Sequence, residues 1–196
     1  MTKGWYGKRQ AHSLASKGIK SKYQYDSSGK PKLSVGLPDY TRDRVKHISD
    51  LSDGKEWIAE LKMLKGDIVI DDIQISDSLD QSFLHWSDGD EDTDVGYIHY
   101  HPPELIPEFS AQDFVLAINV HEMRANKKDY PYTLMGLVYP ENDELKIVIY
   151  GINPKEGRKS DFEGKMLVES DLKDVIDEMV ENKELIKMRD INEREN

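Results

Sequence analysis

The sequence predicts an α/β (α+β) domain, and three observations support it. Residues 68 to 75, IVIDDIQI, alternate as a strand does, and residues 95 to 98 form a short apolar run that reads as a second one. Leu172, Val175, Ile176, Met179 and Val180 recur at i, i+3, i+4, i+7 and i+8, the period of a helix with one apolar face. Two further apolar runs, 132 to 138 and 145 to 149, are separated by Pro140, Glu141, Asn142 and Asp143, which reads as a hairpin.

Taken in order, residues 1 to 40 are rich in Gly, Ser and Lys, have no sustained period, and predict a mobile basic arm. Its Trp5, Tyr6, Tyr23 and Tyr25 are too many aromatics for a plain linker; they suit stacking on nucleic acid or folding back on the body. In residues 41 to 51, Val45, Ile48 and Leu51 have helical spacing and predict a first helix. An entry strand over 54 to 63 and a turn at Lys65, Gly66 and Asp67 lead into the 68 to 75 strand. Residues 76 to 94 are polar and acidic around an island that includes His85, read as surface. The run from Asp88 to Asp94 lacks the sixth-position Gly and closing Glu of a calcium loop. A helix over 110 to 127 follows a loop with three prolines. A C-terminal helix opened by Ser170 completes the chain, giving a central domain over 41 to 157 and a helical extension over 158 to 196.

Composition narrows the chemistry. The 196 residues contain no Cys, which excludes disulfides and thiolate metal sites and leaves His and carboxylate as strong ligands. Net charge is −11, unevenly spread: residues 1 to 50 hold 11 Lys and Arg against 4 Asp, while between Lys65 and Arg124 there are 14 acidic residues and no Lys or Arg. No apolar stretch is long enough to span a membrane, and no apolar core follows the basic start as in a signal peptide, so a cytoplasmic protein is expected.

The chain is organised around residues 95 to 113, VGYIHYHPPELIPEFSAQD. Side chains two apart on a strand share a face, about 6 to 7 Å apart, so His99 and His101 can aim two imidazoles at one point. Asp113, in the first turn of the following helix, can bring a carboxylate there. Two His and one Asp suit Zn²⁺ and leave a fourth position for water. Ser110 and Asp113 also fit a capping box, a role compatible with metal binding. His121, eight residues beyond Asp113 and about 12 Å along the helix axis, is too far to share the ion and reads as structural.

Gly96-Tyr97-Ile98-His99-Tyr100-His101-Pro102 followed by Ser110-x-x-Asp113 resembles the JAMM motif of the JAB/MPN metallopeptidase family. That resemblance implies a single JAB/MPN-like, cytidine-deaminase-like domain with a mixed central sheet flanked by helices. It implies His99, His101 and Asp113 as zinc ligands, Ser110 as an oxyanion donor, and an upstream Glu that acts on the water. Glu56-Trp57-Ile58-Ala59-Glu60-Leu61 resembles the family's segment for that Glu. Glu56 fits the motif better, but Glu60 has the same strand parity and remains the rival. Three features depart from the family: Tyr100 stands where a small residue is usual and can narrow the groove or stack on substrate. The loop from His101 to Asp113 is one residue longer than usual, and the glycines around the first strand are partly absent.

The resemblance implies a zinc-dependent hydrolase of amide or isopeptide bonds, with protein substrates that include conjugates of ubiquitin-like modifiers. Two competing functions are a non-catalytic MPN-type interaction module and a nucleic-acid-associated protein that docks through its basic arm.

Overall fold

In the computed structural model, which describes residues 34–64, 67–76, 94–124, 127, 130–190 and 192, eight strands and three helices are arranged around one six-stranded sheet. They run β1 (Ser34–Val35), α1 (Asp39–Leu51), β2 (Trp57–Leu64), β3 (Asp67–Ile75), β4 (Asp94–Tyr100), α2 (Ala111–Met123), β5 (Thr133–Glu141), β6 (Glu144–Ile152), α3 (Lys173–Glu181), β7 (Leu185–Lys187) and β8 (Arg189–Asp190). The sheet order is β3-β2-β4-β5-β6-β7, and β1 pairs with β8 in a separate two-stranded ladder. Residues 1–33 of the predicted basic arm, the turn residues Lys65 and Gly66, and residues 77–93 of the acidic segment, with His85, lie outside the described residues, whereas residues 34–40, expected in that arm, supply β1 and open α1.

The sheet is mixed. β4 and β5 are parallel and every other pairing in it is antiparallel. Parallel neighbours need a crossover, and α2 supplies it. Buried on both faces, β4 is almost wholly apolar and aromatic up to His99. Val95, Ile98 and Tyr100 join one core with Val45 and Ile48 of α1. Tyr97 joins the other with Phe114, Ala117 and Ile118 of α2 and Met179 of α3. The sheet thus has α1 on one side and α2 and α3 on the other.

A bulge sets which side chains of β4 face which core. Leu61 pairs with Gly96 and Lys62 with Asp94, so Val95 is the extra residue. From there alternation sends Ile98 and Tyr100 towards α1, and Tyr97 and His99 towards α2. Gly96 is required where β4 meets β5, because a Cβ there would lie 1.8 Å from the Leu134 carbonyl oxygen. At the β5–β6 hairpin, Asn142 and Asp143 both have positive φ, 50° and 64°, the backbone of a two-residue type I′ turn.

Two sequence expectations need correction. Residue 170 does not open an α-helix: residues Glu169–Leu172 form a 3₁₀ turn, and α3 starts at Lys173 without a side-chain cap. The reason is tertiary. Val168 bridges Ser110, the Glu169 N–H donates to the Phe109 carbonyl (2.8 Å), and the Ser170 N–H donates to Glu108 Oε2 (3.1 Å). The Tyr100 side chain does not narrow the metal side of β4. It lies on the opposite face, stacked on Trp57 with ring centroids 6.1 Å apart.

The C-terminal residues also contribute strands that their sequence does not announce, since β7 extends the sheet beside β6. Arg158, almost fully buried, ties this part together. It donates to both carboxylate oxygens of Glu184 (2.6 and 3.0 Å) and to Glu178 and Asp161. Among the described residues no helix is long and apolar enough to cross a membrane.

Candidate metal centre

The candidate centre lies at the carboxyl end of β4, where the crossover into α2 begins. This is where open α/β sheets commonly place their sites. His99 is the penultimate residue of the strand, and His101, just past its end, keeps the same parity. The His101 N–H donates to the Val138 carbonyl of β5 (2.9 Å), so the β-like path continues one residue further. The two imidazoles meet tip to tip, with Nε2 atoms 3.0 Å apart.

Asp113 arrives from α2. Ser110 is the N-cap, and the capping box is complete. The Ser110 hydroxyl accepts from the Asp113 N–H (3.2 Å), and Asp113 Oδ2 accepts from the Ser110 N–H (2.7 Å) and hydroxyl (2.8 Å). One carboxylate oxygen is therefore held inside the cap. The other, Oδ1, faces His99 Nε2 at 3.5 Å. His99, His101 and Asp113 each offer a ligand atom within 4.8 Å of the others, a group that could hold a metal ion.

The surroundings fix His101 in ligand form. The three-proline loop folds back so that His101 Nδ1 lies 2.7 Å from the Ile106 carbonyl oxygen, which makes Nδ1 the protonated nitrogen and turns the Nε2 lone pair towards His99. Burial first, and the neighbouring His99 second, lower the His101 pKa from 6.5 to about 4, so the ring is neutral near pH 7, as a ligand must be. His99 packs against Tyr97 (6.0 Å) and edge-on to Phe109 (5.9 Å). Its Nδ1 is buried with no hydrogen-bond partner among the described residues. Tyr97 is fully buried, its hydroxyl donates to the Asp113 carbonyl (2.7 Å), and burial, with Asp113 nearby, pushes its pKa well above 10.

The two candidate glutamates occupy different places, Glu56 just before β2 and Glu60 within it. Register puts Trp57 opposite Tyr100 and Glu60 opposite Tyr97, so Glu56 lies level with His101. Glu56 Oε1 is 3.9 Å from His101 Nε2. Glu60 is deeply buried four residues further along the chain, 3.8 Å from Lys62 Nζ. His121 is not part of the group, because its Nδ1 is bonded to Thr133 Oγ1 (2.9 Å). Sequence reasoning missed the Ile106 carbonyl, Phe109 and Tyr97. Only Tyr97 carried a signal, being two residues before His99 on the same strand.

In chemical terms, these residues gather two imidazole nitrogens and one carboxylate oxygen around one point, with a second carboxylate beside them. No protein-family model matches the chain, and no curated protein matches it.

Proposed function

We propose that the chain is a zinc-dependent hydrolase of amide or isopeptide bonds, of the JAMM metallopeptidase type and related to the JAB/MPN domains. The observation that carries this is the convergence of His99 Nε2, His101 Nε2 and Asp113 Oδ1 beside Glu56. The donor set suits zinc. Two nitrogens bound at about 2.0–2.1 Å in tetrahedral geometry stand about 3.3 Å apart, close to the 3.0 Å separation here. Three protein ligands with no thiolate match a site that keeps a position open for reaction.

When bound, zinc lowers the pKa of its water towards about 7 and polarises the scissile carbonyl. Glu56 is the general base, taking a proton from the attacking water, and then the general acid, delivering it to the departing amine. One water is consumed, the C–N bond breaks, and an acid and an amine leave. Ser110 holds Asp113 through its hydroxyl and, by turning that proton outwards, donates to the tetrahedral oxyanion. The protein-bond substrate class, including ubiquitin-like conjugates, rests on the motif. The acidic middle of the chain favours substrates with basic surroundings, through steering.

The test has two parts. Purified protein is expected to hold about one zinc per chain. Glu56→Gln is expected to keep that metal and lose cleavage of a panel of ubiquitin-like fusions by at least about 100-fold. Metal-free protein, or an undiminished Glu56→Gln variant, would overturn the proposal.

A further inference from the structure

The centre is built from two elements that differ in kind: a strand carries the imidazoles and a helix carries the carboxylate. One buried hydroxyl joins them. Tyr97 lies two residues before His99 on the same face of β4, and its hydroxyl reaches across to the Asp113 carbonyl of α2 at 2.7 Å. We propose that Tyr97 is a positioning residue of the metal centre, a strut that sets how far the helix bearing Asp113 stands from the strand bearing His99 and His101. This rests on the metal-binding reading given above.

Three observations separate the strut from ordinary core packing. Asp113 is the third residue of α2, so its carbonyl already belongs to the helix's own ladder, and the tyrosine hydroxyl is a second donor to it. Removing that hydroxyl therefore leaves no orphaned acceptor; it removes registration. Next, among the described residues the Asp113 side chain is held at Oδ2 by Ser110, which fixes its rotation but not the position of the helix. Finally, the Tyr97 ring stacks on His99, so one side chain contacts a ligand on each element.

The test uses the full chain, stripped of metal and titrated with zinc against a chromophoric chelator. Tyr97→Phe keeps the ring and removes only the hydroxyl. It is expected to weaken zinc binding about 10-fold or more, the loss typical of an outer-shell partner, with stoichiometry unchanged and metal-free melting lowered by only about 2–4 °C. Phe114→Leu is the control. It trims a buried ring of α2 that stacks on Phe162 and meets Phe109, and it leaves the hydrogen bond from the Tyr97 hydroxyl to Asp113 in place. It is expected to lower the melting temperature and leave zinc affinity within about 2-fold of wild type. Unchanged affinity in Tyr97→Phe overturns the proposal, as does an equal loss in Phe114→Leu, which would mean that core packing alone governs the site. Asp113→Asn separates the two levels. If wild type takes up no zinc, or Asp113→Asn binds it equally well, the metal reading itself falls and the strut with it. If Asp113→Asn loses zinc while Tyr97→Phe does not, only the strut falls.

Discussion

The two ends of β4 treat polar side chains in opposite ways. At its start Asp94 is 1% exposed and meets Lys62 Nζ at 2.6 Å, with Glu60 and Asp71 also within 4 Å of that ammonium. Burial alone lowers the Lys62 pKa, but the charge and hydrogen bond of Asp94, with Glu60 and Asp71, push it above its ordinary value. Arg124, at the far end of α2, is close enough to feel Asp94 as well. The chain brings its own cations here. At the other end of β4, imidazoles and carboxylates converge, and Asp113 has no Lys or Arg within ion-pair distance among the described residues. One end supplies its own counter-ions and serves the fold; the other gathers donors that could hold an ion from outside.

The largest test of this contrast is at the paired end. Lys62→Met leaves Asp94 buried without its nearest cation and is expected to destabilise the protein by about 3–5 kcal/mol in denaturant unfolding. Lys62→Met combined with Asp94→Leu should recover part of that loss, because Asp94 is then no longer stranded while Glu60 and Asp71 still lose the Lys62 ammonium. At the metal end, the effect depends on the ion. Zinc at about 100 times its Kd should add about 2.7 kcal/mol to wild-type stability and almost nothing to His101→Ala. If Lys62→Met also abolished the zinc effect in protein that remains folded, the two ends would not be independent.

A separate effect comes from pH in metal-free protein. His101 and His121 both have folded pKa values near 4 against an ordinary 6.5, and for both the main cause is burial. Below about pH 6.5 the unfolded chain takes up protons that the folded chain refuses. Stability is therefore complete above that pH and declines as pH falls towards 4. Unfolding measured across this window should show a shallower slope in His121→Gln, and again in His101→Ala, each variant removing one titrating ring.

How much of this could be read from the sequence depended on how far apart the cooperating residues lie in the chain. His99 and His101 share a face by strand alternation, and Ser110 and Asp113 pair by the spacing of a capping box, so the two imidazoles and the carboxylate were visible as local patterns. The same alternation assigned Tyr100 to the far face, but the motif drew it towards the groove, and the structure sides with the alternation. Glu56 and Glu60 share parity, and only the register of β2 against β4 separates them, a non-local quantity. β1, β7 and β8 are two or three residues long, too short to show a period, and exist because other segments offer them edges. The late start of α3 is likewise decided by Phe109 and Glu108, some sixty residues earlier.

Asp113 divides its two oxygens between two duties, one closing the first turn of α2 and the other turned towards the imidazoles. If Asp113 ligates an ion, its capture and the integrity of that turn are linked equilibria. Whatever frays residues 110 to 113 also discards the ligand, and whatever occupies the site winds the helix tighter at its origin. The crossover would then sense occupancy from its first residue.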